Sequence, residues 1–253
     1  MEQRDHFTNL ITPFEQKGLA VKAHHYQRQD EAVYAVQIGN KDLPVLLLIH
    51  GSPGDWTAWK DLILSTNLAE HYQLIIPDRP PYQSSTIEAG DLSSQSKAFT
   101  DLVQQHCRPC IVAGHSYGGA LALQLAIDHR ERIAAVVSLS GTIAAPYQSP
   151  RWYNYLGDQW WVQKFLSKSM LASNREMMFL SSDLTALENN LKELDLPIYL
   201  LQGGKDVLVN PGSPFYLLDL LNSVQVEYNS QWDHFVIWTE KQAVVDLLTG
   251  INL

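Results

Sequence analysis

Ser116 stands at the centre of Gly114-His115-Ser116-Tyr117-Gly118, between a short apolar run, residues 111–113, and the helix-forming run ALALQLA. A serine hydroxyl is a weak nucleophile at neutral pH. It attacks a carbonyl only when a base takes its proton, an acid holds that base in the right tautomer, and donors receive the oxyanion that forms. A strand, a sharp turn and a helix in this order present such a hydroxyl: glycines two residues before and after it let backbones pass where a side chain would collide. The helix that follows places the N–H groups of Tyr117 and Gly118, and its positive dipole end, beside the serine. GxSxG alone is short enough to recur by chance, and it is the strand before and the helix after that make it a nucleophile turn.

The base and the acid must come from loops at the carboxyl ends of strands, where ligands of an open parallel sheet lie. Asp206 follows the strand-like PIYLLQ, residues 197–202, within Gly203-Gly204-Lys205-Asp206. No carboxylate follows the strand ending near Ser140, and Asp195 precedes its strand, so Asp206 is the expected acid. His234 lies in Gln231-Trp232-Asp233-His234-Phe235, after the last strand and ahead of the last helix. Its place in the chain order serine, aspartate, histidine selects it as the base from nine histidines. Asp233 ranks below Asp206 because adjacent residues rarely face each other.

These residues need a scaffold, and the chain supplies alternating elements. Residues 19–27 and 32–38 read as two antiparallel strands with Gln29-Asp30 near their turn, and residues 1–17, with little periodicity, are expected to pack across one edge. Residues 43–49, nearly all apolar, predict a strand covered on both faces. It ends in His50-Gly51-Ser52-Pro53-Gly54-Asp55, where Asp55 is an N-cap candidate for the helix WTAWKDLIL. A strand at 71–77 closes in Asp78-Arg79-Pro80-Pro81-Tyr82. One amphipathic helix is predicted over 92–106, capped by Ser93 or Ser94, then the helix from Tyr117 to about His129 and a buried strand at 133–139. Strict alternation implies an α/β fold, with a mostly parallel central sheet flanked by helices on both faces. Within this single domain of 1–253, alternation stops and an aromatic-rich segment with short helical patterns follows, read as an inserted helical lid at 142–193. A strand at 197–202, a helix at 214–221, a strand at 224–228 and a helix at 235–248 complete the chain.

With 45% apolar residues the 253-residue chain can bury a large core without staples. Its formal charge of -9, with no basic patch set against it, argues against nucleic acid or an anionic bilayer as partner. Neither a leader-like start nor an apolar run long enough to span a bilayer is visible, so a cytoplasmic protein, monomeric or a small homo-oligomer, is the expectation. Cys107 and Cys110 form a CxxC that closes a helix and begins a strand, the reverse of a redox site, and reads as structural or incidental thiols.

GHSYG at 114–118, HGSPGD at 50–55, GGKD at 203–206 and WDHF at 232–235 together resemble the α/β-hydrolase superfamily over nearly the whole chain. The resemblance implies a catalytic triad of Ser116, His234 and Asp206, with an oxyanion hole from the backbone N–H groups of Ser52 and Tyr117. It also implies that His50 braces its loop and that His115 is a packed, non-catalytic part of the elbow motif. It implies acyl transfer without metal or organic cofactor. One departure is the loop DRPPYQSS at 78–85, where Pro81 and Gln83 stand in positions usually held by glycine, so that this loop must bend differently.

The expected activity is that of a carboxylesterase-like serine hydrolase acting on a small, apolar ester. Trp56, Trp59, Trp160 and Trp161 either line an apolar substrate pocket or pack the lid onto the core. Hydrolysis of carbon–carbon bonds, lactones or amides uses the same three residues, and a ligand receptor with a vestigial triad is the reading from another class.

Overall fold

The computed structural model describes residues 2–28, 31–87 and 90–252. β1 (Val21–Arg28) and β2 (Glu31–Ile38) pair antiparallel; the turn expected at Gln29-Asp30 lies outside the described residues. The remaining strands are β3 (Val45–Ile49), β4 (Gln73–Pro77), β5 (Cys110–His115), β6 (Ile133–Leu139), β7 (Ile198–Gly203) and β8 (Val224–Asn229). All eight form one sheet in the order β1-β2-β4-β3-β5-β6-β7-β8. β2 meets β4 antiparallel and every pairing from β4 to β8 is parallel. The order reverses between β3 and β5, and the loops after these two strands therefore open side by side.

The apolar run of β3 serves both faces of the sheet. Leu46 and Leu48 join Ile111 and Ala113 in one core layer, while Leu47 and Ile49 join Val112 in the other, all without exposed surface. The first layer is covered by α1 (Glu2–Gln16), a 3-10 turn at Trp56–Trp59, α2 (Lys60–Ser65) and α3 (Leu68–His71). The second is covered by α4 (Leu92–Ala98), α5 (Thr100–His106) and α6 (Tyr117–Asp128). Between β6 and β7 the chain leaves the sheet for α7 (Trp152–Gly157), α8 (Trp160–Gln163) and α9 (Lys168–Leu191). α10 (Ser213–Leu220) returns to the second layer, and α11 (Val236–Thr239) with α12 (Lys241–Thr249) to the first.

Several expected elements are corrected. The N-terminal segment is a helix, with Phe14 buried and packed 6.2 Å from the Trp56 ring; Phe7, Leu10, Ile11 and Phe14 make one apolar face at helical spacing, despite Pro13. The helix expected over 92–106 is broken at Phe99, which bonds back to Ser96 and leaves the helical basin (φ -86°, ψ 0°). Its cap is Asp91, accepting from Ser94 N at 2.7 Å, rather than either serine. The terminal helix is likewise broken at Glu240, and the short patterns of the insertion are instead dominated by the 24-residue α9. Cys107 and Cys110 are joined in a disulfide between the end of α5 and the start of β5. Asp55 does cap its helix, accepting from Thr57 N at 2.7 Å.

Asp78, at the end of β4, ties two loops together by accepting from Trp56 N at 2.8 Å and from Ser84 N at 3.3 Å. Burial raises its carboxyl from 3.8 to about 7, against the pull of these two amides. The folded value lies above the unfolded one, so the stabilising contribution is complete below about pH 4 and is lost as pH rises to about 7. Chemical denaturation across that window should show wild-type stability falling relative to Asp78→Asn as pH rises. Parallel profiles would contradict the assignment.

Candidate active site

β5 runs into α6 through Ser116, which adopts φ 55° and ψ -122°. That left-handed backbone is costly for a residue with a side chain, of order 1–3 kcal/mol. Packing leaves little alternative. A Cβ on Gly114 would lie 2.0 Å from the carbonyl oxygen of Gly118, and one on Gly118 would lie 2.4 Å from that of Ile49. The bend is pinned by Ser116 N donating to Leu139 O at 3.0 Å and by Ser116 O accepting from Gly119 N at 3.0 Å and Thr142 N at 3.1 Å.

Asp206 lies beyond β7 and is buried, yet all its acceptor capacity is used. Oδ1 accepts from the amides of Leu208 (2.9 Å) and Val209 (2.8 Å); Oδ2 accepts from Gln202 Nε2 (2.9 Å) and from His234 Nδ1 (2.8 Å). Burial alone would raise this carboxyl, but the bond from His234, the Val209 amide and Gln202 hold it below its ordinary value. An ionised acceptor at Nδ1 fixes the imidazole tautomer: Nδ1 carries the proton and Nε2 is left as the basic nitrogen. The two loops are also joined directly, Lys205 N donating to Trp232 O at 2.8 Å. Asp233 turns away and accepts from Phe235 N at 2.8 Å.

His115 supports this pair from below. Its Nε2 donates to the His234 carbonyl at 3.0 Å, and the two rings are 4.9 Å apart. Burial and the neighbouring His234 depress its pKa to about 3, so it stays neutral and acts as packing. His50, fully buried, accepts from Arg79 N at Nε2 (2.9 Å) and so donates from Nδ1 to Gly51 O (2.8 Å). It braces the loop after β3 as a neutral ring, its pKa lowered chiefly by burial and by the Arg79 charge.

Ser52, in the loop after β3, and Tyr117, the first residue of α6, lie past the ends of the neighbouring strands β3 and β5, and among the described residues neither backbone N–H has an acceptor within the protein. Ser116, Ser52, Asp206 and His234 all line one cavity of about 740 Å³. Among the described residues the Ser116 hydroxyl makes no hydrogen bond within the protein. The inserted helices supply an apolar wall of Leu156, Val162, Leu166, Met170, Met177 and Leu180. None of the four tryptophans expected in a substrate pocket is there. Trp56 and Trp59 are buried in the core layer beneath the sheet, and Trp160 and Trp161 face outward at 70% and 50% exposure.

A buried ionic cluster behind the Ser52 loop escaped the sequence. Arg79, from the departing loop DRPPYQSS, donates to Glu176 Oε1 (2.7 Å) and Oε2 (3.3 Å), Gln95 Oε1 (2.7 Å), Gly51 O (3.0 Å) and His50 O (2.9 Å). Its guanidinium lies 4.5 Å from the Tyr117 ring centroid and 5.0 Å from that of Tyr82. Burial works against its charge, but the Glu176 carboxylate keeps it protonated. Tyr82 completes the link, donating to Glu176 Oε2 at 2.7 Å and meeting Ser52 Oγ at 3.0 Å. One signal was available: Glu176 falls on the stripe of α9 that continues through the buried Leu180, Leu184, Leu187 and Leu191, an acid where helical spacing demands an apolar side chain.

Residues 46–247 match the model of a family described as the alpha/beta hydrolase family. The magnesium-chelatase 30 kDa subunit of Rhodobacter capsulatus is 33% identical over 138 residues, which cover 46% of this chain and 48% of that protein. The AB hydrolase superfamily protein YfhM of Bacillus subtilis is 24% identical over 182 residues, covering 70% and 63%. The match thus spans less than two thirds of either relative's length. The crystal structure of Cfl2 from Burkholderia cenocepacia shares the fold, with a TM-score of 0.76 at 15% identity over 91% of this chain and 95% of that one.

Breaking the cluster from one side should cost more than removing it. Glu176→Leu strands a buried guanidinium and is expected to lower unfolding free energy by about 3–5 kcal/mol, whereas Arg79→Met with Glu176→Leu recovers most of that loss. Urea denaturation of the single and double variants checks this. A Glu176→Leu protein as stable as wild type would contradict it.

Proposed function

The chain belongs to the alpha/beta hydrolase family, and on that premise we propose that it is a serine hydrolase cleaving a small, largely apolar ester through an acyl-enzyme on Ser116. The observation that carries this reading is the Asp206–His234 hydrogen bond at 2.8 Å opening onto the same cavity as a serine held at φ 55°.

His234 Nε2 takes the Ser116 proton as Oγ attacks the ester carbonyl, and Asp206 stabilises the imidazolium that results. The tetrahedral oxyanion is received by the N–H groups of Ser52 and Tyr117, each donor of this kind being worth about 100- to 1000-fold in turnover. Collapse expels the alcohol, which leaves with the proton held on Nε2. Water then attacks the acyl group, giving its proton to the same nitrogen, and the acid departs as Ser116 is restored. The support for an apolar acyl or alkyl group is the wall of leucine, valine and methionine from the inserted segment, whose α7, α8 and α9 serve as a lid over the cavity. Arg79 and Glu176 tie that lid to the loop bearing Ser52, and so hold one oxyanion donor in place.

A fluorophosphonate probe should label wild-type protein at Ser116 and leave Ser116→Ala unlabelled. Turnover of a short p-nitrophenyl ester should fall by about 10⁴-fold in Asp206→Asn, which loses the tautomer control described above. Labelling at a different serine, or full activity in Asp206→Asn, would refute the assignment.

A further inference from the structure

The inserted segment turns large rings toward solvent. Trp152 is 75% exposed, Trp160 70% and Phe165 86%, and Tyr155 and Trp161 are also at least half exposed. None of these five lines the cavity, although the same segment supplies Leu156, Val162 and Leu166 to its wall. Single exposed apolar residues are ordinary, but a run of aromatics of this size on one short segment marks a surface that meets something apolar.

The charges beside the rings indicate what that is. Arg151, Lys164 and Lys168 flank them, all exposed, with Asp158 as the one carboxylate over 151–168. This segment is therefore locally cationic in a chain of net charge -9. The chain-wide balance, which argues against an anionic bilayer, averages this excess away. The Lys164 ammonium lies 4.5 Å from the Trp160 ring centroid, a tryptophan–lysine pairing suited to a boundary that is apolar on one side and charged on the other. Arg151 donates to the carbonyls of Val207 (3.1 Å) and Leu208 (3.2 Å), so the exposed Val207 extends the apolar rim across to the loop after β7. A second copy of this chain would set like charges against each other. An anionic lipid surface supplies the opposite charge and an apolar interior. Among the described residues no helix is long and apolar enough to cross a membrane, so the contact is one of lying on the surface.

We propose that Trp152, Trp160 and Phe165, with Lys164 and Lys168, form a docking face for an anionic lipid membrane. The rings enter the headgroup boundary, the ammonium groups pair with lipid phosphates, and the cavity wall formed by the same helices is brought next to the membrane. Docking is independent of the chemistry at Ser116. That it delivers a membrane-borne ester to the cavity rests on the hydrolase reading.

Ser116→Ala protein, which cannot degrade the probe, is sedimented with vesicles of equimolar phosphatidylglycerol and phosphatidylcholine and with vesicles of phosphatidylcholine alone. The expected preference for the anionic vesicles is roughly 30-fold at low salt, shrinking as salt is raised. Trp152→Ser with Phe165→Ser should lose binding to both compositions, and Lys164→Glu with Lys168→Glu should lose the preference. Absence of binding to anionic vesicles, equal binding to both, or a dimer that the Trp152→Ser, Phe165→Ser pair dissociates while vesicles stay unbound would overturn the proposal. In otherwise wild-type protein, the aromatic pair should lower turnover of a vesicle-borne ester at least about tenfold and leave a water-soluble ester unaffected. Intact vesicle binding with no turnover of either ester would remove the hydrolase reading and leave the docking face standing.

Discussion

The backbone at Ser116 is bent into a conformation that a serine would not choose, and much of the site follows from that constraint. The bend is possible because Gly114, Gly118 and Ile49 pack backbone against backbone with no room for a Cβ at either glycine. It persists because Leu139, Thr142 and Gly119 satisfy the backbone N–H and C=O of residue 116. With the turn fixed, α6 starts at Tyr117 and points its unpaired amides at the rim of the sheet. The crevice between β3 and β5 then places the Ser52 loop on one side, and β7 and β8 carry Asp206 and His234 in from the other. A similar close approach recurs there: a Cβ on Gly203 would lie 2.4 Å from Trp232 O, so only glycine lets the aspartate loop and the histidine loop meet.

The insertion is built into this arrangement and is more than a cover. Glu176 reaches down from α9 to Arg79, whose remaining donors hold the carbonyls of His50 and Gly51. A fully buried arginine and glutamate give up a great deal of hydration, and they are tolerated because Gln95, Tyr82 and two carbonyls satisfy what the ion pair leaves open. Such a cluster demands one geometry, and so fixes the backbone of the loop that carries Ser52. The same helices turn leucine and methionine inward and tryptophan and phenylalanine outward, so one segment shapes the cavity and the face around it.

The fold was legible where local pattern and tertiary role coincide. The run at 43–49, the glycine spacing around Ser116 and the loop positions of Asp206 and His234 all read directly, because strand ends and sharp turns leave marks in the residues themselves. Helix α1 was overlooked although Phe7, Leu10, Ile11 and Phe14 stand at helical spacing and pack one face onto the first core layer; Pro13 within it weighs against a helix. The breaks at Phe99 and Glu240 are tertiary decisions with no proline or glycine to announce them. The tryptophans misled because a large ring is equally at home under a sheet, where Trp59 lies, and on an exposed rim, where Trp160 lies. Arg79 and Glu176 were invisible as a pair because their partnership spans the insertion, and only the acid's place on an apolar stripe hinted at it.

The most direct test of the account is the crystal structure of a covalent phosphonate adduct on Ser116, whose tetrahedral phosphorus copies the attacked carbonyl. The account predicts one phosphonyl oxygen within about 3 Å of both the Ser52 and Tyr117 amide nitrogens, with His234 still bonded to Asp206. An adduct oxygen turned to solvent, with either amide bonded elsewhere or the histidine released from its carboxylate, would contradict it.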